Sequence, residues 1–109
     1  MAKFDDFKDA LEDGIKDLAK KTAKEFADDA LNDGKAFLKE TEDDLKRWTK
    51  LLASGELSQD DFKWLVQSKK DVAEMVALKQ KGLALAKIDS FRQGVLDLVV
   101  NTATGVFLA

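Results

Sequence analysis

Apolar residues recur along this chain at helical spacing, and one period dominates. Phe4, Ile15, Phe26, Phe37 and Trp48 stand eleven residues apart, with Phe7, Leu11, Leu18, Ala30, Leu45 and Leu52 filling between them. Beyond position 55 the period resumes as Phe62, Ala73, Ala84, Val95 and Val106, flanked by Val66, Ala77, Ile88 and Val99. Eleven residues in three turns is about 3.67 per turn, so such a stripe runs nearly parallel to a straight helix axis and disfavours the heptad coiled coil. Nothing alternates with the period of two that a half-buried strand requires. The pattern predicts an all-α fold.

Few positions force a helix to stop. Proline is absent, and the six glycines stand at 14, 34, 55, 82, 94 and 105. The clearest punctuation is Ala53-Ser54-Gly55-Glu56-Leu57-Ser58. Gly55 suits the left-handed position that ends a helix, and Ser58 suits the N-cap of the next. Asp61 three residues on approximates a capping box, and Asp60 and Asp61 set negative charge on the new helix's N-terminus. The reading is therefore an antiparallel helical hairpin in a single domain: helix A from about Phe4 to Ala53, a turn over 54–58, helix B from about Gln59 to Thr102, and an apolar tail over 103–109. Each helix would be about 75 Å long if straight. One feature disputes continuity: Asp9-Ala10-Leu11-Glu12-Asp13-Gly14 is nearly repeated as Asp29-Ala30-Leu31-Asn32-Asp33-Gly34, and Asn-Asp-Gly is turn chemistry. The unbroken phase from Phe26 through Phe37 to Trp48 favours helix through Gly34; a break there would give three or four shorter helices.

Charge separates the two halves. Residues 1–54 hold 14 acids and 11 bases, whereas 55–109 hold 7 of each, so helix A is the wetter one. Asp17 with Lys21, Glu42 with Lys46 and Asp43 with Arg47 sit at i, i+4, acid first, as props on a solvated face. From Leu83 onward only Lys87, Asp89, Arg92 and Asp97 are charged, while Val95, Leu96, Leu98, Val99 and Val100 cover nearly every direction around the axis. A helix apolar all round must be buried on more than one side, and two helices hide only one stripe each. A homodimer forming a four-helix bundle is the expected solution. Val95, Leu98, Val99, Thr102 and Val106 follow the stripe. Leu96, Val100 and Phe107 fall off it without an evident partner in the chain and are the expected interface. Trp64 lies about 200° around the helix from Phe62, so it is expected outside and Trp48 inside, with Trp64 a further interface candidate.

Composition narrows the chemistry. The 109 residues are 45% apolar and 36% charged, enough apolar material to fold as one domain. Cysteine, histidine and tyrosine are absent, which removes disulfides, thiol nucleophiles, thiolate or imidazole metal sites and the commonest general base. A net charge of −3 argues against a nucleic-acid partner. Ser68-Lys69-Lys70 lacks the Ser-x-x-Lys spacing, and the isolated glycines make no phosphate cradle. Asp29, Asp33, Gly34 and Glu40 match part of a calcium loop, yet Leu31 occupies a position that requires oxygen. No catalytic residue, metal ligand or cofactor is assigned, and an enzyme is not expected.

The leading functional expectation is a non-enzymatic oligomerisation or protein-interaction module. The alternative is a lipid-surface binder acting through Val95 to Ala109, against which stands the lack of Lys or Arg on that segment. Gln93 to Ala109 is too short and too polar to span a bilayer. The chain opens with acid inside its first turns and shows no export signal, so a cytoplasmic location is expected. Its length and central turn are similar to those of small secreted WxG-type helical hairpins, but Trp48 and Gly55 lack the Trp-x-Gly spacing and no family is assigned.

Overall fold

The computed structural model describes residues 2–108 as five α-helices, with no strand among them: α1 Ala2–Thr22, α2 Ala27–Ser54, α3 Gln59–Gln67, α4 Val76–Gln80 and α5 Leu85–Phe107. Both helices of the expected hairpin are broken. Helix A folds back through a short 3₁₀ turn, Lys24–Phe26, and continues without interruption through Gly34. Helix B is interrupted over 68–75 and again over 81–84, and its last segment runs on to Phe107 instead of ending near Thr102. The expected tail is thus helical to Phe107, and its final residue, Ala109, lies outside the described residues.

The fold-back has a physical cause. A straight helix of fifty residues would carry its stripe past any partner, whereas folding lets Phe7, Leu11 and Ile15 of α1 share a core with Ala30, Phe37 and Leu45 of α2. The molecule is 42 Å along its longest axis, the length of about 28 helical residues. The corner uses neither glycine nor proline. Lys24 adopts φ 48° there, while buried Ala19 and Ala23 present no bulk between the helix ends. In helix B the stripe at 73, 77 and 84 consists of alanines, which bury too little area to hold a continuous helix on the core.

Register follows from three close approaches. A Cβ placed on Gly34 would stand 2.5 Å from Ile15 Cγ2, one on Gly14 2.8 Å from Leu98 Cδ2, and one on Gly94 2.9 Å from Leu18 Cδ2. These glycines admit a neighbouring side chain and do not make turns. Helix α1 therefore runs antiparallel to both α2 and α5, and the near-repeat places Gly14 and Gly34 at one level of the bundle. Helix α5 packs against α1, α2, α3 and α4, so the burial assigned to a second chain comes from its own. Leu96 is fully buried, and Val100 and Phe107 are half-buried against the core, Phe107 meeting Phe7 edge-on at 5.5 Å. The expectation that these three lack an intrachain partner is corrected accordingly.

The second connection must climb the bundle. Helix α2 ends at Gly55, in the left-handed conformation (φ 83°), and α5 starts at the opposite end. Ser58 caps α3, its Oγ accepting from the Asp61 N–H at 3.1 Å, and Phe62 and Val66 bury themselves. Further on, Asp33 of α2 accepts hydrogen bonds from the backbone N–H groups of Ala77 (2.9 Å) and Leu78 (2.8 Å), closing the otherwise uncapped N-terminus of α4. Met75, buried at φ 57°, leads into that turn. Arg92 Nε donates to the Ala73 carbonyl at 2.6 Å, and Lys69 pairs with Asp44 at 2.8 Å.

Two stability predictions follow from these contacts. Asp33→Ala removes two charge-assisted hydrogen bonds and is expected to cost about 2–3 kcal/mol in urea unfolding, with the amides of Ala77 and Leu78 exchanging fastest. Protection of those two amides at wild-type level would contradict the assignment. Gly34→Ala is expected to destabilise by about 1–3 kcal/mol because Ile15 is buried and β-branched, whereas Gly105→Ala, with open space around it, is expected to stabilise by up to about 1 kcal/mol. A gain in urea midpoint for both would refute the close approach.

Candidate functional site

Helix α3 is the element on which the candidate surface rests. Its inner side carries Phe62 and Val66, and a polar seam sets its rotation against α5. Gln93 Nε2 donates to Asp97 Oδ1 at 3.0 Å and to Gln67 Oε1 at 3.1 Å, and Gln67 Nε2 donates to the same Asp97 oxygen at 3.3 Å. With that rotation set, Trp64 points away from the core and is 70% exposed, while Trp48 on α2 is 7% exposed. The expected contrast between the two tryptophans is what the structure has. Lys69 stands 5.7 Å from the centre of the Trp48 ring, closing over it.

The four candidate interface residues do not form one patch. Trp64 alone is strongly exposed. Val100 floors a groove between α3 and α5 whose walls are Gln59, Asp60, Lys63, Asp97, Asn101 and Thr104. Phe107 sits at the Phe7 end of the bundle, and Leu96 is inside. Of the segment offered for lipid contact, Val95, Leu96, Val99 and Ala103 are core residues of this chain. Val76 and Leu85, 50% and 71% exposed, were not singled out from the sequence, because a continuous helix B would have placed them with their neighbours on a packed face.

The partial calcium loop from Asp29 to Glu40 lies within α2, where Asp33 is already committed to α4. Among the described residues no three acidic side chains converge as a metal site would require, and no helix is long and apolar enough to cross a membrane. Compared with protein-family models, with curated proteins and with solved structures, the chain matches none.

Ion pairs fasten the periphery. Lys8 of α1 pairs with Glu42 of α2 at 3.0 Å, and this hydrogen bond lowers the Glu42 pKa and raises that of Lys8. The Lys69 hydrogen bond, aided by Arg47, holds the Asp44 carboxyl below its ordinary range despite partial desolvation. A depressed carboxylate pKa contributes stability above its unfolded value, near 4.5 for Glu42 and 3.8 for Asp44, and loses it as pH falls through the folded value. Lys8 contributes below 10.5 and loses its share as pH rises through its raised value. The urea midpoint should therefore fall on acidification below about pH 4, and less steeply in the Glu42→Gln/Asp44→Asn variant. Identical acid slopes for the two proteins would show that these pairs carry none of the effect.

Proposed function

We propose that this chain is a non-enzymatic helical interaction module whose contact surface is the outer face of α3, with a second copy of the chain as its partner. The observation that carries the reading is the exposed indole of Trp64 on a helix whose other apolar residues, Phe62, Leu65 and Val66, pack on the core. The Gln67, Gln93 and Asp97 seam fixes the rotation of the helix that carries this indole, and an exposed tryptophan is the kind of residue that dominates interface energetics. Asp60 and Asp61 on one side of it and Lys63 on another place both signs of charge on the same patch. A two-fold contact needs such a self-complementary surface, because each residue must meet its counterpart's neighbour.

Sedimentation equilibrium tests the reading. The wild-type chain should dimerise with rising concentration, and Trp64→Ser should weaken association by at least about thirty-fold while leaving the helical circular dichroism unchanged. A wild-type protein that stays monomeric throughout, or a Trp64→Ser variant that dimerises equally well, would remove α3 as the contact.

A further inference from the structure

The corner where α4 turns into α5 combines exposed lysines with exposed aliphatic side chains. Between Glu74 and Asp89 there is no acidic residue, and Lys79, Lys81 and Lys87 are all exposed. None of the three is paired with a carboxylate among the described residues. Gly82 turns the chain at φ 80°, and on either side of it Val76 and Leu85 stand 50% and 71% exposed. The corner is therefore basic and apolar at once about Leu85, while Val76 borders Glu40 and Glu74.

Its position in the bundle strengthens the pattern. Leu18 packs over Gly94, so the start of α5 lies level with the turn between α1 and α2, where Lys20, Lys21 and Lys24 are also exposed. Glu25, Asp28 and Asp29 share that end. The opposite end gathers Asp5, Asp6, Asp9 and Asp43, together with Asp60 and Asp61 at the start of α3. Exposed Lys3, Lys46, Lys50 and Lys63 stand there too, so both ends carry both signs, and the corner is marked by three lysines that lack a carboxylate partner among the described residues beside exposed Leu85.

We propose that this corner docks the protein on an anionic bilayer surface, with Leu85 entering the headgroup region and Lys79, Lys81 and Lys87 facing the lipid headgroup charges. Interfacial elements bind through buried apolar area together with basic residues beside it. The C-terminal half of α5 has no lysine or arginine and its apolar side chains are buried or half-buried against the core, whereas the corner supplies both requirements in one place. A bilayer fits better than a nucleic acid, because the exposed apolar groups are aliphatic and cannot offer the stacking planes that single strands use.

Vesicle co-sedimentation at low salt tests the proposal, with phosphatidylcholine vesicles and phosphatidylcholine–phosphatidylserine vesicles as the two probes. The protein should pellet with the phosphatidylserine vesicles alone and release as salt is raised. Each lysine near an anionic surface is worth about five-fold in partitioning, so Lys79→Gln/Lys81→Gln/Lys87→Gln should lose about a hundred-fold while keeping its helical circular dichroism. Leu85→Ser should lose about ten-fold, and Trp64→Ser should bind as wild type, which separates this surface from the α3 contact. The proposal is overturned by failure to pellet with phosphatidylserine vesicles at low salt, by a folded triple variant that binds equally, or by loss of binding in Trp64→Ser. Wild-type partitioning of Leu85→Ser, with equal retention of both proteins on heparin, would also overturn it by reducing the site to a bare polyanion contact.

Discussion

The arrangement of this chain depends on one buried carboxylate. Helix α2 finishes at one end of the bundle and α5 must begin at the other for the two to lie alongside α1, so residues 56–84 have to travel the length of the molecule. Helix α3 covers the first part by packing Phe62 and Val66, but the stretch after Gln67 offers mainly charged residues and alanines. Asp33, in the middle of α2, catches the climbing chain by accepting the Ala77 and Leu78 N–H groups. That contact allows Met75 to sit buried in a left-handed conformation, which costs about 1–2 kcal/mol in isolation, and brings Leu78 into the core. It holds the connection that leads into α5, whose register against α1 is set by the Gly14–Leu98 and Gly94–Leu18 approaches.

Apolar burial and polar contacts divide the work. The stripe on α1, α2 and α5 specifies that these helices associate, and a hydrophobic interior of this sort tolerates many arrangements. The polar ties select among them, and they cluster on the second connection: Asp33 to α4, Arg92 to the Ala73 carbonyl, Lys69 to Asp44, and Gln67 and Gln93 to Asp97. Every buried side-chain polar atom among the described residues has a partner. Threonines 41 and 49 meet that requirement locally, each returning its hydroxyl to the carbonyl four residues earlier.

What could be read from the sequence was what depends on near neighbours. The helical class, the Gly55 and Ser58 punctuation and the opposite fates of Trp48 and Trp64 follow from spacing within one or two turns. The corner at Lys24 was not legible, because no glycine or proline marks it and its cause is the shared core of α1 and α2. Asp33 and Gly34 looked like turn chemistry, since their partners, Ala77, Leu78 and Ile15, are remote in the chain. Leu96 seemed unpartnered only while helix B was taken as one straight rod with a single neighbour. The same assumption hid the basic corner, whose exposure exists because helix B breaks. Trp64, placed by its angle from Phe62, was the one candidate surface residue that spacing alone located correctly.

The paired notches between α1 and α5 carry a consequence for how those helices can move. Gly14 receives Leu98 while Gly94 receives Leu18, the knob lying four positions beyond the notch on each helix. Sliding α5 by one turn in one direction would set Gly14 against Gly94, leaving a void there and withdrawing both leucines from their recesses. Sliding it by one turn the opposite way would drive Leu18 against Leu98, a collision. The two helices therefore behave as a ratchet with a single tooth, free to separate or hinge but not to shear, and any rearrangement of this bundle must proceed by lifting α5 away as a unit.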